Sequence, residues 1–286
     1  MNSRFNRIAP YVFVLPNILV VVLFAIYPLI ANFVLSFTEG SFEETTFVGF
    51  DNYILAFKDE SFWISLRNTL YYTLLLVPPT IVLSLVIAVG LNRAMPLKNT
   101  IRAVYLLPYL LSWSVIGLIW RWIYSSNYGI LNNLLASVGL PPLRWILDPN
   151  LTIPSLAFVG IWAGVGYYMM IYLAGLQGIS GTYYEAAKID GANKWQQFIY
   201  ITVPSLRPIT TLIVILAVTS SFRVFEQIYV MTGGGPGRAS FVLVLYIFIK
   251  GFNEFSIGYA AALSVILFLI LLVITILQQK LLNRDE

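Results

Sequence analysis

The stretch SGTYYEAAKIDGANKWQQFIYITVPSLR, from Ser180 to Arg207, interrupts a chain otherwise dominated by long apolar runs. Two helix starts are written into it. Thr182-Tyr183-Tyr184-Glu185 reads as a capping box, in which the Thr182 hydroxyl accepts from the Glu185 amide and the Glu185 carboxylate accepts from the Thr182 N–H. The short helix that follows, Tyr183 to about Asp190, ends at Gly191, a residue suited to a left-handed C-cap. Asn193-Lys194-Trp195-Gln196 repeats the start signal and opens a second short helix through about Ile201, after which Pro204 and Pro208 punctuate the chain. The pattern is a helix–turn–helix elbow. Ala186 and Ala187 offer a thin surface for close docking, flanked by the charges of Glu185, Lys188 and Asp190. A helix pair resting on lipid headgroups is the plainer alternative; the mixed acidic and basic character of the first helix weighs against it.

The rest of the chain says where such an elbow sits. Of 286 residues, 59% are hydrophobic and 10% charged, with a mean hydropathy of +0.81. A soluble domain is about 45–50% apolar and about 25% charged, so a water-facing globule is excluded. A bilayer core about 30 Å thick needs roughly 20 mostly apolar residues as a helix. Six runs qualify, at about Tyr11–Phe37, Leu66–Leu91, Val104–Tyr124, Ile153–Leu176, Ile209–Met231 and Ile257–Leu277. They divide into an N-terminal helix with its extracytoplasmic loop, residues 1–65, and a five-helix core, residues 66–286, carrying the cytoplasmic loop 180–207. Pro16, Pro28, Pro78, Pro79 and Pro108 fall inside the runs, as bundled membrane helices tolerate. The Gly160-x-x-x-Gly164 spacing reads as a site of close helix packing.

Absences narrow the chemistry. With 0 Cys there is no disulfide framework or thiolate site, and with 0 His the usual general base and commonest metal ligand are missing. The net charge of +4 is too small and too scattered for a nucleic-acid surface. The only Gly-rich run, Gly233-Gly234-Gly235-Pro236-Gly237, lacks the Gly-Lys-Ser/Thr ending of a phosphate-binding loop.

Orientation follows the Lys/Arg bias of the loops. With the N-terminus in the cytoplasm, ten of the 17 basic residues and four of the 13 acids lie inside, leaving seven bases and nine acids outside. Inside is then +6 and outside −2, and the short loop Asn92–Arg102 contributes three bases and no acid. Both termini, with Arg4, Arg7, Arg284, Asp285 and Glu286, are expected in the cytoplasm, together with the elbow. Arg4 and Arg7 before an apolar run also resemble a signal peptide, but that run is longer than the 7–15 residues of a typical signal core.

Glu185-Ala186-Ala187, three residues, Gly191, nine residues, then Ile201-x-Val203-Pro204 resembles the E-A-A loop of ABC importer permeases, with Val203 where the family has Leu. Phe47-Val-Gly-Phe-Asp-Asn-Tyr53 and Asn68-Thr69-Leu70 resemble the opening of its carbohydrate (maltose-type) branch. Phe225-Glu-Gln-Ile-Tyr-Val-Met-Thr-Gly-Gly-Gly-Pro236 resembles that branch after the fifth span, with Glu226 where Asp is commoner. The resemblance implies an all-α integral membrane protein of six transmembrane helices with the type I importer (MetI-like) permease fold, in a bacterial or archaeal cell (inner) membrane. It implies a non-enzymatic subunit with no cofactor of its own, ATP and Mg being bound by two separate ABC ATPase subunits. It also implies a second permease subunit, giving a heterodimer, an extracytoplasmic solute-binding protein and a sugar substrate. Glu185, Ala186, Ala187, Asp190 and Gly191 would then couple the chain to the ATPase, and Gly164, Tyr167, Ala217, Ser220, Ser221 and Val224 would face the sugar.

Depth agrees with that last set. Tyr167 lies 13 residues after Pro154, and Ser221 lies 13 after Pro208; at 1.5 Å per residue both are about 20 Å from a face, within the central third. Tyr167 has an alternative as simple packing. Arg223 and Glu226, three apart, read as a water-facing pair at the outer end of the fifth span, and Trp120-Arg121-Trp122 as an interfacial anchor. An importer of glycerol 3-phosphate or another polar solute, using Arg223 and Arg121, is the alternative within the same architecture. A stand-alone secondary transporter would want buried ion-coupling charges and an inverted repeat, which the spans lack.

Overall fold

The computed structural model describes residues 13–40, 45–93 and 96–282. Arg4, Arg7, Arg284, Asp285, Glu286 and the start of the first expected span lie outside the described residues. Contacts divide the chain into two units, one within Met1–Glu60 and Ile247–Leu269, the other within Ser61–Tyr246 and Ile270–Glu286.

In the first unit, α1 (Phe13–Leu35) is long and apolar enough to cross a membrane and buries none of its most apolar window. Its surface is fit for lipid or another chain rather than for water. A two-stranded antiparallel ribbon follows, β1 (Thr38–Gly40) paired with β2 (Thr45–Phe47), and then α2 (Asp51–Lys58). The Phe-Asp-Asn-Tyr motif ties these pieces together. The Asn52 amide donates to the carbonyls of Ser36 at 3.0 Å and Thr38 at 2.8 Å, and the Tyr53 hydroxyl meets Ser36 Oγ at 2.6 Å. Phe37 packs edge-on against Phe33 and Phe50.

The second unit is built on α3 (Glu60–Leu91) and α7 (Pro149–Gln177), both long enough to span. Around them lie α4 (Lys98–Leu110), α5 (Trp113–Ile123) and α6 (Ile130–Ser137). The elbow supplies α8 (Gly181–Ile189) and α9 (Lys194–Ser205), then come α10 (Arg207–Phe222) and α11 (Glu226–Met231). Two further helices, α12 (Leu243–Asn253) and α13 (Ile257–Leu282), are divided between the units, Ile247–Leu269 belonging to the first. Small residues let the membrane helices approach. A Cβ on Gly166 would strike the Tyr105 carbonyl of α4, and one on Gly160 would meet the Tyr72 hydroxyl of α3 at 2.7 Å. Polar side chains then bond across the bundle: Ser84 Oγ donates to the Val165 carbonyl at 3.0 Å, and Tyr72 Oη to Gln227 Oε1 at 3.0 Å. In hydrocarbon such bonds have no water to compete with them.

The spans are less regular than their hydropathy. The second, fourth and sixth are single helices, as expected. The third is not one rod from Val104 to Tyr124: α4 and α5 meet at 95°. No charge interrupts Leu-Leu-Pro-Tyr-Leu-Leu-Ser-Trp-Ser, so hydropathy runs through the bend. Ser112 breaks the helix by taking an extended conformation (ψ 137°) and accepting the Ser114 amide at 3.3 Å, the work of an N-cap. The fifth expected span also divides, into α10 and α11 around Arg223–Phe225, while α9 and α10 meet at 64°. Trp120 is a core residue rather than an interfacial anchor: it is buried against Tyr124, Phe158 and Trp162, with ring centroids 5.3–5.6 Å apart. Its neighbour Trp122 stays exposed.

Candidate functional site

Two places carry the chemistry: the elbow and a cavity inside the second unit. The elbow forms, with one change at its start. Ser180, not Thr182, is the N-cap of α8; its Oγ accepts from the Thr182 amide and lies 2.8 Å from the Thr182 hydroxyl. The helix therefore begins before the expected box can close, and the Glu185 carboxylate has no hydrogen-bond or ion-pair partner among the described residues. At the other end, Gly191 has φ +79°, its amide donates to Lys188 O, and Ala192 N donates to Ala187 O at 2.8 Å. That is a Schellman motif, and it needs a residue at ease in the left-handed region. The second box is complete: Asn193 Oδ1 accepts from Gln196 N at 2.9 Å and Gln196 Oε1 from Asn193 N at 2.8 Å.

The elbow is braced from within. Tyr184 Oη meets Thr202 Oγ1 at 2.9 Å, and Gln197 Nε2 donates to the Ala192 carbonyl at 2.9 Å. A π-helical turn, Phe198–Thr202, precedes Pro204. Glu185, Ala186, Asp190 and Gly191 are exposed and Ala187 half-buried. Around them Tyr183, Ile189, Trp195 and Tyr200 are each more than half exposed, Ile189 at 87%. Large apolar side chains turned outward from an internally bonded element make an exposed apolar patch, of the kind that meets another protein or a membrane.

The cavity holds about 480 Å³, within the size range of small-ligand sites. Five of the six sequence-predicted pocket residues line it: Gly164, Tyr167, Ser220, Ser221 and Val224. Ala217 does not; it is fully buried. The wall the sequence reading missed comes from the broken third span. Tyr109 and Trp113 flank the bend and both line the cavity. Tyr109 stacks on Tyr167 with centroids 4.3 Å apart and planes 10° apart, and Tyr168 meets Tyr167 edge-on at 5.2 Å. A straight third helix would have left no reason to place Tyr109 there; Ser112 as an N-cap was the local signal.

Polar groups complete the wall. Ser221 Oγ is committed to Thr73 Oγ1 at 2.9 Å and Val218 O at 2.8 Å, and Gln227 Nε2 to Leu156 O at 2.7 Å. Glu226 Oε1 accepts from the Ser114 amide at 3.2 Å, from Ser112 Oγ at 3.4 Å and from the Ser114 hydroxyl. It thus sits on the N-terminus of α5, where a negative charge is favoured. Arg223 and Glu226 are both exposed; no ion pair joins them, and Glu226 turns to α5.

Elsewhere in the second unit, two separately read motifs meet. Asn68 Nδ2 donates to the carbonyls of Arg238 at 2.9 Å and Phe241 at 3.2 Å, and Thr69 Oγ1 accepts from Leu243 N at 3.0 Å. The Gly-Gly-Gly-Pro turn is closed by Thr232 Oγ1 against Ser240 Oγ at 2.7 Å.

The pattern of one family, described as the binding-protein-dependent transport system inner membrane component, matches residues 53–285. The chain belongs to this family. A probable ABC transporter permease, YurN of Bacillus subtilis, is 37% identical to this permease over 281 residues, covering 96% of each chain. The arabinooligosaccharides transport system permease protein AraP of the same organism is 32% identical and covers 96% of this chain and 89% of its own. A chain of a bacterial alginate ABC transporter, solved in complex with an alginate-pentasaccharide-bound periplasmic protein, has the same fold: TM-score 0.86 at 23% identity over 99% of this chain and 98% of that one. The permease is thus a multi-pass membrane component with the type I importer fold.

Proposed function

We propose that this permease carries a saccharide through the cavity beneath Tyr109 and Tyr167, driven from the cytoplasm by separate ABC ATPase subunits docked on the elbow. The stacked tyrosines support the substrate class: an aromatic face at the wall of a cavity suits the apolar face of a sugar ring, with Ser220 and Thr219 hydroxyls beside it for the ring's hydroxyls. Relatives named for arabinooligosaccharides and for trehalose/maltose import support the same class.

Both termini and the elbow lie in the cytoplasm. Glu185, unpartnered on an exposed helix, offers charge-assisted hydrogen bonds to a basic residue of the ATPase, and Ala186 and Ala187 let the surfaces approach closely. Closure of two ATPase subunits moves the elbow. Because α9 and α10 are joined at Ser205–Arg207, that movement passes into the helix that carries Ser220 and Ser221. The bundle swings outward-open, an extracytoplasmic binding protein releases sugar into the cavity, and hydrolysis resets the bundle. A second permease subunit supplies the other half of the path.

Reconstitution tests this reading. The permease, its partner permease, the ATPase and the binding protein in proteoliposomes take up saccharide in an ATP-dependent way, and Glu185→Lys abolishes uptake while the chain still inserts. Full uptake by Glu185→Lys, or uptake without ATPase subunits, refutes it.

A further inference from the structure

The cavity's charges are unequally spent. Its two ionic side chains are Arg223 and Glu226. The Glu226 carboxylate faces the α5 N-terminus and takes both donors of Ser114 as well as the Ser112 hydroxyl. The Arg223 guanidinium has no hydrogen-bond or ion-pair partner among the described residues, though it lines the same wall. Arg223 is exposed on that wall, so its guanidinium is open to a ligand entering the cavity. The unspent neutral groups, Ser220, Thr219 and the Trp113 indole, can all donate. The wall therefore presents an exposed guanidinium with no direct ion-pair partner and several donors beside an aromatic platform.

We propose that the saccharide carries an acidic group, carboxylate or sulfonate, and that Arg223 binds it while the ring lies against Tyr167. This rests on the saccharide-import reading above. A guanidinium fork matches the paired oxygens of either acid with two parallel charge-assisted hydrogen bonds.

The test uses the reconstituted importer with its own binding protein. The probes are a hexuronate trisaccharide, its carboxyl-reduced neutral counterpart and a sulfonated trisaccharide. Wild type, Arg223→Gln and Arg223→Lys are compared by the ratio of acidic to neutral uptake, so that any preference of the binding protein cancels. The expected result is an acidic preference in wild type that falls at least about tenfold in Arg223→Gln, the scale of losing a charge-assisted contact. Arg223→Lys retains part of it. Equal uptake of acidic and neutral probes by wild type overturns the inference but leaves the import reading standing, as does an equal loss of both in Arg223→Gln, which would make Arg223 a contact to a partner. Uptake of none of the probes overturns both.

Discussion

Asn68 tests whether the Gly-Gly-Gly-Pro turn is held by α3. Its side chain is 5% exposed and spans two carbonyls, Arg238 at 2.9 Å and Phe241 at 3.2 Å. Asn68→Ala removes both donors and leaves two acceptors facing an apolar helix. One lost hydrogen bond costs about 1 kcal/mol, and a buried group left unsatisfied costs about 1–3 kcal/mol. Both bonds are part-buried, so the two losses together come to about 2–4 kcal/mol. Asn68→Asp should be worse, because a carboxylate cannot donate and sets acceptor against acceptor. The assay is equilibrium unfolding of the purified permease in mixed micelles, with hydrogen exchange at the Ser240 and Leu243 amides as a local readout. Faster exchange there, with the α7 amides unchanged, is expected of Asn68→Ala. A loss below about 0.5 kcal/mol, the scale of an ordinary surface substitution, or an Asp variant milder than the Ala variant, would refute the clamp.

Further outcomes follow from the elbow and the cavity. At Gly191, φ +79° with nothing within 4 Å of an added Cβ means that Ala meets only the backbone penalty, about 1–2 kcal/mol. Gly191→Ala should weaken coupling, and Gly191→Pro, locked near φ −65°, should abolish substrate-stimulated ATP hydrolysis by the reconstituted complex while leaving insertion intact. Tyr167→Ala breaks the stack on Tyr109 and should raise the KM for saccharide about tenfold, whereas Tyr167→Phe keeps the ring and most of the affinity; equal loss in both would assign the effect to the hydroxyl. Glu226→Gln retains an acceptor for Ser114 and should cost less stability than Glu226→Ala. A double-mutant cycle of Glu226→Ala with Ser114→Ala should show non-additivity above about 0.5 kcal/mol. Gly166→Val drives a side chain into the Tyr105 carbonyl and should prevent α4 from packing on α7, read as loss of folded permease in detergent.

The elbow was the most legible part of the molecule, because its signals are local. Gly191 can be read as a C-cap and Asn193-x-x-Gln196 as a box from a handful of adjacent residues. The first box failed for an equally local reason: Ser180, two residues upstream of Thr182, competes for the same amide. The cavity was half legible. The family resemblance pointed to Tyr167 and Ser221, with depth in agreement, but Tyr109 arrives from a helix that bends where its sequence is most apolar. Glu226 read with Arg223 as a water-facing pair three residues apart, yet its hydrogen-bond donors come from more than a hundred positions earlier.

Side-chain transfer into lipid, a 1.5 Å rise per residue and turn chemistry are properties of short segments. From them the residues alone specify a helical membrane protein, the number of its apolar runs and the elbow between the fourth and fifth. Which residues face a common space is a property of pairs far apart in the chain. The bend at Ser112 and the commitment of Glu226 to Ser114 depend on α5 and α11 meeting, and Asn68 finds its role in the Arg238 and Phe241 carbonyls. Packing also parts Ala217, sealed in the bundle, from Ser220 and Ser221, which share its helix face and line the cavity.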